Sequence, residues 1–141
     1  MKTEEKIRQM IDEWISAVKD KDVDRLMALY ADDVVVYDVP PPLQQRGAEA
    51  HRQNFEKWFA GMPGRTTSAI RDLRIVAGET IAFAHCLSHI SNARPDGKAG
   101  VDNWVRVTVC FEKRDGAWLV THEHTSMPID ESGRGATNLK P

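Results

Sequence analysis

The segment from Trp104 to Ser126 decides the fold, and it reads WVRVTVCFEKRDGAWLVTHEHTS. Asp115 and Gly116 separate two runs in which apolar and polar residues alternate, which is a strong signal for a two-residue β-hairpin turn. Both runs are rich in β-branched and aromatic residues, which favour strands. We therefore expect two antiparallel strands that pair across this turn.

Pairing across the turn assigns the side chains of the hairpin to two faces. With Phe111 opposite Val120, strict alternation makes one face mostly apolar, so this face should line the core or a pocket. It carries Val105, Val107, Val109, Phe111, Val120, His122, His124 and Ser126. The outward face then carries Trp104, Arg106, Thr108, Cys110, Leu119, Thr121, Glu123 and Thr125. This register predicts two histidines and a serine on the inner wall of the sheet.

Upstream of the hairpin, the apolar spacing predicts three helices. Residues from Ile7 to Val18 follow helical spacing, with Thr3 as the N-cap, and Asp22 caps a short second helix that reaches Tyr30. The other expected elements are a strand over 34–39 that the prolines at 40–42 end, a helix over 48–59, and strands over 65–77, 80–92, 101–114 and 117–127. This order is typical of an α+β fold in which three helices pack on a curved, mostly antiparallel sheet.

Composition bounds the functional class. The 141 residues suit one domain over 1–128 with a polar tail over 129–141, and the formal charge of -2 gives no reason to expect nucleic-acid binding. The sequence shows neither a run of about 20 apolar residues that could span a membrane nor a signal peptide, so we expect a cytoplasmic protein. Cys86 and Cys110 lack a metal or redox spacing and should be free thiols.

Three stretches carry a resemblance to a known family. WISAVKDKDVD from Trp14 and LYADDVVVYD from Leu29 resemble the N-terminal half of ketosteroid isomerases and SnoaL-like proteins, which belong to the NTF2-like superfamily. RDGAWLVTHEHTSMP from Arg114 resembles the last strand of the SnoaL-like branch, and also the association domain of calcium/calmodulin-dependent kinases. The resemblance covers about residues 4–128 and implies a cone-shaped α+β barrel, a fold that hosts many unrelated activities.

The resemblance also implies where an isomerase site would lie. The family's catalytic base falls on Asp38, its oxyanion-hole tyrosine falls on Trp14, and its second donor falls near Val107 or Thr108. Trp14 keeps one N–H donor, but Val107 has none and Thr108 should face outward. Because each oxyanion donor is worth about a hundred- to thousandfold in rate, we do not expect steroid isomerase activity.

Asp38, His122 and His124 are the candidate catalytic residues. Apolar surroundings would raise the pKa of the Asp38 carboxyl towards a useful range, although Asp38 could equally accept backbone N–H bonds at the strand end. The two histidines could join His85 and His89 in a four-histidine metal site. Their spacing matches no metal motif, however, so we expect neither a metal nor a cofactor.

The residues expected to line a ligand pocket come from the helices and from the inner face of the sheet. They are Trp14, Tyr37, Phe55, Trp58, His85, His89, Val107, Val109 and Ser126, with core packing as the alternative for the aromatics. The outward face, on which we expect Val101, Trp104, Cys110 and Leu119, would suit a homodimer.

The function expected from these residues is the binding of a small, largely apolar, carbonyl-bearing metabolite. Proton transfer would use Asp38 as general base, with His122 or His124 and Tyr37 or Trp14 donating to the ligand oxygen. Two alternatives stay open: a ligand-binding or carrier domain without catalysis, and an assembly module similar to the kinase association domain.

Overall fold

The computed structural model describes residues 2–98 and 100–141 and has the predicted α+β class. Its helices are α1 (Thr3–Asp20), α2 (Val23–Met27) and α3 (Ala48–Ala60). Its strands are β1 (Tyr30–Tyr37), β2 (Gln45–Arg46), β3 (Arg65–Ala77), β4 (Ile81–Ala93), β5 (Asp102–Arg114) and β6 (Ala117–Ser126). All predicted helices and strands are confirmed to within a few residues, and the short strand β2 is additional.

The observed boundaries differ from the predicted ones at the start of α1 and at the end of α2. Thr3 is already the first helical residue of α1, so the prediction that Thr3 is the N-cap was wrong. Asp22 does cap α2, because its carboxylate accepts a hydrogen bond of 3.1 Å from the backbone N–H of Arg25. α2 ends at Met27 and not at Tyr30, because the Leu29 carbonyl accepts a hydrogen bond of 2.8 Å from the backbone N–H of Val120 and draws the chain into the sheet.

The sheet has six strands in the order β2-β1-β6-β5-β4-β3, and β1 and β6 are its parallel neighbours. α1 packs across β3, while α3 packs against β1 and β2. The core lies between these helices and the inner face of the sheet, where Ile7, Val18, Leu26, Val36 and Phe111 are almost fully buried. Each such side chain contributes about 1.5–3 kcal/mol by leaving water, so the packing of the helices fixes one face of the sheet as the inner face.

The register of the β5–β6 hairpin departs from strict alternation at one residue. Phe111 lies opposite Val120 as predicted, but Cys110 lies opposite His122, so Thr121 is the extra residue of a β-bulge. A bulge of one residue turns every side chain beyond it to the other face. Glu123 therefore lies opposite Val109 on the inner face.

The bulge corrects the predicted faces of β6. His122, His124 and Ser126 were expected inside, but they pair with Cys110, Thr108 and Arg106 of the outward face. Glu123 and Thr125, which were expected outside, line the inner face. Alternation alone could not show this, because nothing in the residue types marks Thr121 as unpaired.

The chain after β6 forms a local turn. Ile129 and Gly135 make an isolated β-bridge, and the Asp130 carboxylate accepts backbone N–H bonds from Ser132 at 2.8 Å and Arg134 at 3.1 Å. The predicted division into a domain over 1–128 and a tail stays a prediction. Within the described residues, no helix combines the length and the apolarity needed to cross a bilayer.

Candidate active site

A cavity of about 560 Å³ lies between α1, α3 and the inner face of the sheet. Its walls are mostly apolar and come from Met10, Ile11 and Trp14 of α1, Phe55 and Trp58 of α3, and Val105, Val107, Val109, Phe111 and Val120 of the hairpin. Its polar lining includes Asp38, His51, Asn54 and Glu123. A mostly apolar wall with a few converging polar groups is the usual character of a small-molecule site.

Glu123 is the most buried carboxyl group of this lining, with a side chain 12% exposed. The hydroxyl of Tyr30 donates to its Oε1 at 3.0 Å, and the indole N–H of Trp14 donates to the Tyr30 oxygen at 2.9 Å. Burial and, to a smaller extent, the negative charge of Asp38 raise the pKa of Glu123, the hydrogen bond from Tyr30 lowers it, and the pKa that results is about 7. The raised pKa favours the protonated form of this side chain much more than an exposed glutamate would at neutral pH.

His51 lies beside Glu123 and is 2% exposed. Among the described residues, neither of its ring nitrogens has a hydrogen-bond partner. Its Nε2 is 3.8 Å from Glu123 Oε2, which is too long for a hydrogen bond. The ring packs edge-on against Tyr30, with centroids 4.5 Å apart, and burial lowers its pKa to about 4. His51 is thus a neutral imidazole with one unused donor and one unused acceptor.

Asp38 follows the end of β1 and also lines the cavity. Its Oδ1 accepts a hydrogen bond of 2.7 Å from the backbone N–H of Val39, and its Oδ2 accepts one of 3.1 Å from the side-chain amide of Asn54. Asn54 and His51 are three residues apart on α3, which separates them by about 4.5 Å along the helix axis. α3 therefore positions one polar partner beside each carboxyl group.

The structure brings part of the predicted site together. The predicted residues that line the cavity are Asp38, Trp14, Phe55, Trp58, Val107 and Val109. Their functional roles stay predictions. Val101, which was expected on the outward face, also lines the cavity.

The other predicted site residues lie outside the cavity, which corrects the expectation for each. His85 and His89 share a face with Phe83 as predicted, but the inner residues of β4 are Ala84, Cys86, Ser88 and Ile90. Tyr37 packs on the outer side against His122 and His124, with ring centroids 4.7 Å and 5.4 Å apart. His122, His124 and Ser126 lie on the outward face because of the bulge at Thr121.

Two further expectations about this site also change. Trp14 was expected to donate to a ligand, but its N–H is already engaged by Tyr30. The alternative of a four-histidine metal site does not hold, since residues 2–98 and 100–141 contain no group of three or more His, Cys, Asp or Glu side chains arranged to hold a metal ion.

Sequence reasoning missed Glu123, His51 and Asn54. Glu123 was placed on the wrong face, and only the bulge reverses that placement. His51 could have been found, because it lies four residues before Phe55 and therefore shares the apolar side of α3.

Comparison with known proteins identifies the family of this chain. A family profile described as the SnoaL-like domain matches residues 7–130. The chain belongs to the SnoaL-like domain family. An NTF2-like protein of unknown function from Pseudomonas putida is 33% identical to this SnoaL-like chain, with a TM-score of 0.89 over 97% of this chain and 95% of that one.

Solved structures of lower identity share the fold. An NTF2-like superfamily protein from Salmonella enterica is 17% identical, with a TM-score of 0.76 over 90% of this chain and 92% of that one. A Streptomyces avermitilis protein of the NTF2-like family, provisionally named a dehydratase, is 16% identical, with a TM-score of 0.76 over 89% of this chain and 96% of that one. No curated protein matches the chain. These matches confirm the predicted NTF2-like and SnoaL-like relationship and show no reaction.

Proposed function

We propose that this SnoaL-like protein binds a small, largely apolar, carbonyl-bearing molecule in the cavity and moves a proton next to the carbonyl, with Asp38 as general base. One observation carries the proposal: two carboxyl groups in different environments line the same apolar cavity. Asp38 has both oxygens held by N–H donors, whereas burial raises the pKa of Glu123 to about 7. A carboxylate beside a carboxyl group that retains a proton is a combination suited to acid–base catalysis.

Each group has a defined part in this proposal. Val39 and Asn54 orient the Asp38 carboxylate, which removes the proton from the carbon next to the carbonyl. Glu123 takes the donor part first expected of His122 or His124, because it faces the cavity and its pKa is raised to about 7. The aromatic walls at Trp58 and Phe55 exclude water, which strengthens these electrostatic interactions.

Deuterium exchange tests the proposal without knowledge of the natural substrate. The protein is incubated in deuterated water with a panel of enones, cyclic ketones and β-keto esters, and exchange and isomerisation are followed by NMR. We expect exchange next to the carbonyl, and a loss of at least about a hundredfold in its rate for Asp38→Asn, because a positioned base contributes roughly 10²–10⁴.

Asp33→Asn is the matched control, since Asp33 lies on β1 shortly before Asp38 but pairs with Arg114 and is absent from the cavity lining described above. This variant should exchange at the wild-type rate. Equal exchange by wild type and Asp38→Asn would refute Asp38 as the base. Saturable binding of the panel without any exchange would instead assign the protein to the alternative, a ligand-binding or carrier domain.

We also propose that the outward face of the sheet pairs two copies of the chain. This face exposes Ile81 and Phe83 of β4, at 66% and 41%, together with Val76 and Tyr37. Val76, Phe83 and Cys110 form one cross-strand row, and six residues further along β4 His89 stacks on Trp104 with ring centroids 4.8 Å apart. An apolar and aromatic surface of this kind favours burial against a second copy.

A further inference from the structure

The inner face of the sheet carries a second polar region, further along the strands from Glu123. Ser88 of β4 and Asn103 of β5 both line the cavity. Ser88 lies opposite Val105 and Asn103 lies opposite Ile90, so the two polar residues are diagonal neighbours across β4 and β5. Because diagonal neighbours on one face of a sheet are only about 7–8 Å apart, both side chains can contact the same small group of a ligand.

Ser88 has a buried hydroxyl group that the protein leaves without a hydrogen-bond partner. The residue is 4% exposed, and its side chain makes no hydrogen bond to another described residue. The nitrogens of His51 are fully enclosed, but the Ser88 oxygen is not among the enclosed unpartnered atoms, so it keeps surface that opens on the cavity. Buried polar groups in native proteins are almost always hydrogen-bonded, which leaves this oxygen to water in the free protein and to a polar group of a bound ligand.

We propose that Ser88 and Asn103 form a second polar subsite that binds a hydroxyl group, which makes the substrate a neutral carbonyl compound with a hydroxyl group remote from the carbonyl. This inference rests on the proposed function and adds the substrate class. Ser88 and Asn103 each offer a donor and an acceptor, and a hydroxyl group both donates and accepts, so it can bond to both side chains. A second keto oxygen only accepts and would use only the donors.

The register of the strands sets the distance between the two polar ends of the ligand. Glu123 lies opposite Val109, Val109 lies opposite Ala84, and Ser88 is four residues further along β4 than Ala84. Four residues of a strand span about 13 Å, and a hydrogen bond of about 2.8 Å at each end leaves about 8 Å along the strand direction. The carbonyl oxygen at Glu123 and the hydroxyl oxygen at Ser88 therefore belong to opposite ends of one molecule.

The wall between these two ends is apolar, and it includes Ala84, Val105 and Val107. Among the described residues, none of the cavity-lining side chains that β4 and β5 contribute is an acid or a base of the Asp, Glu, Lys, Arg or His type. A charged ligand group at Ser88 would lose its water without meeting an opposite charge, which is costly. The subsite therefore favours an uncharged group on a molecule with an apolar middle.

Three derivatives of benzylacetone test the subsite. The para-(hydroxymethyl) derivative carries its hydroxyl group at the end opposite to the carbonyl, and the ortho-(hydroxymethyl) isomer carries it close to the ketone side chain. The para-ethyl derivative has a methyl group in place of the para hydroxyl. Binding is measured by titration calorimetry. We expect wild type to bind the para-(hydroxymethyl) ketone about tenfold more tightly than its ortho isomer, because only the para hydroxyl reaches Ser88 and Asn103.

Substitutions on β4 and β5 assign this preference to the subsite. Ser88→Ala removes an unpartnered hydroxyl and should fold as wild type does. We expect Ser88→Ala and Asn103→Leu each to lower the preference for the para-(hydroxymethyl) ketone about tenfold, and to bind the para-ethyl ketone as tightly as wild type. Ser91→Ala is the matched control, since Ser91 lies on β4 outside the cavity lining, with its Oγ 2.6 Å from Thr67 Oγ1. This variant should keep the preference.

The outcomes separate this inference from the proposed function. Equal affinity of wild type for the para and ortho isomers, or an unchanged preference in Ser88→Ala or Asn103→Leu, would overturn the subsite. If only the subsite is wrong, Asp38-dependent deuterium exchange of the para-ethyl ketone persists. If only the base assignment is wrong, the para preference and its dependence on Ser88 persist while exchange in Asp38→Asn equals that of wild type. Absence of binding by all three ketones would contradict both proposals.

Discussion

Strand β6 has titratable side chains on both of its faces within three consecutive residues. Glu123 faces the cavity, with a side chain 12% exposed, whereas its neighbours His122 and His124 face outward. On the outward face, His122 Nδ1 lies 2.7 Å from the Val35 carbonyl oxygen, and both rings contact Tyr37. On the inner side, His51 of α3 lies beside Glu123, and its ring nitrogens have no hydrogen-bond partner among the described residues.

This contrast shows that the face of the sheet, and not the residue type, decides which titratable groups can act on a ligand. The outward histidines have packing partners that account for them as structural residues. The inward pair of Glu123 and His51 is buried, is shifted in pKa and is incompletely hydrogen-bonded. Perturbed and unsatisfied groups in a cavity are typical of functional sites.

The largest effect is expected from removing the buried carboxyl group of Glu123. It concerns the stability of the protein at alkaline pH. Burial raises the pKa of Glu123 from 4.5 to about 7, so the folded state keeps a proton that the unfolded state has lost. The free energy of unfolding therefore falls as pH rises from about 4.5 to 7, by up to about 3 kcal/mol. Glu123→Gln removes this dependence and should be more stable than wild type at pH 8 by up to that amount.

Chemical denaturation at pH 4 and at pH 8 measures this difference. Subtracting wild type from the variant removes the contribution of His51, whose lowered pKa gives a slope of opposite sign between about 4 and 6.5. His124→Gln, on the exposed side of the same strand, should follow wild type at both pH values. If the free energy of unfolding depended on pH equally in wild type and in Glu123→Gln, Glu123 would not be buried as described.

The two cysteines allow a second comparison of the two faces of the sheet, because they lie on the neighbouring strands β4 and β5 but on opposite faces. Cys86 lines the cavity, and burial raises its pKa from 9 to about 11, with Glu123 adding to the rise. Its thiolate fraction at pH 8 should therefore be about a hundredfold below that of an unfolded cysteine. We expect Cys86 to react with iodoacetamide about a hundredfold more slowly than a cysteine in denatured protein.

Mass spectrometry of the alkylated peptides follows each cysteine separately. Cys110 lies on the outward face, so a ligand that fills the cavity should protect Cys86 and leave the rate at Cys110 unchanged. Equal protection of both cysteines by a ketone of the panel would show that the protection does not report on filling of the cavity.

Much of this fold could be predicted from the sequence, because its elements carry strong local signals. The turn at Asp115 and Gly116 fixed the hairpin as far as Phe111 and Val120. Asp38 was found through the family resemblance, and the inward valines were found through alternation. Side-chain faces beyond Thr121 could not be predicted, because the residue types do not show which residue of a strand is the extra one of a bulge.

The smallest expected effect concerns the outward face, where we propose contact between two copies. Phe83 is 41% exposed beside Val76 and Cys110, and Phe83→Glu would bring two carboxylates into such an interface. We expect the variant to weaken self-association by at least about tenfold in sedimentation velocity, because like charges in an interface oppose binding. Leu43→Glu is the control, since Leu43 is 94% exposed and lies in the loop between β1 and β2, not on a strand of this face. This face would be excluded as the interface if wild type sedimented as a monomer, or if Phe83→Glu associated as wild type does. Either outcome would leave the proposal for the cavity on the inner face unaffected.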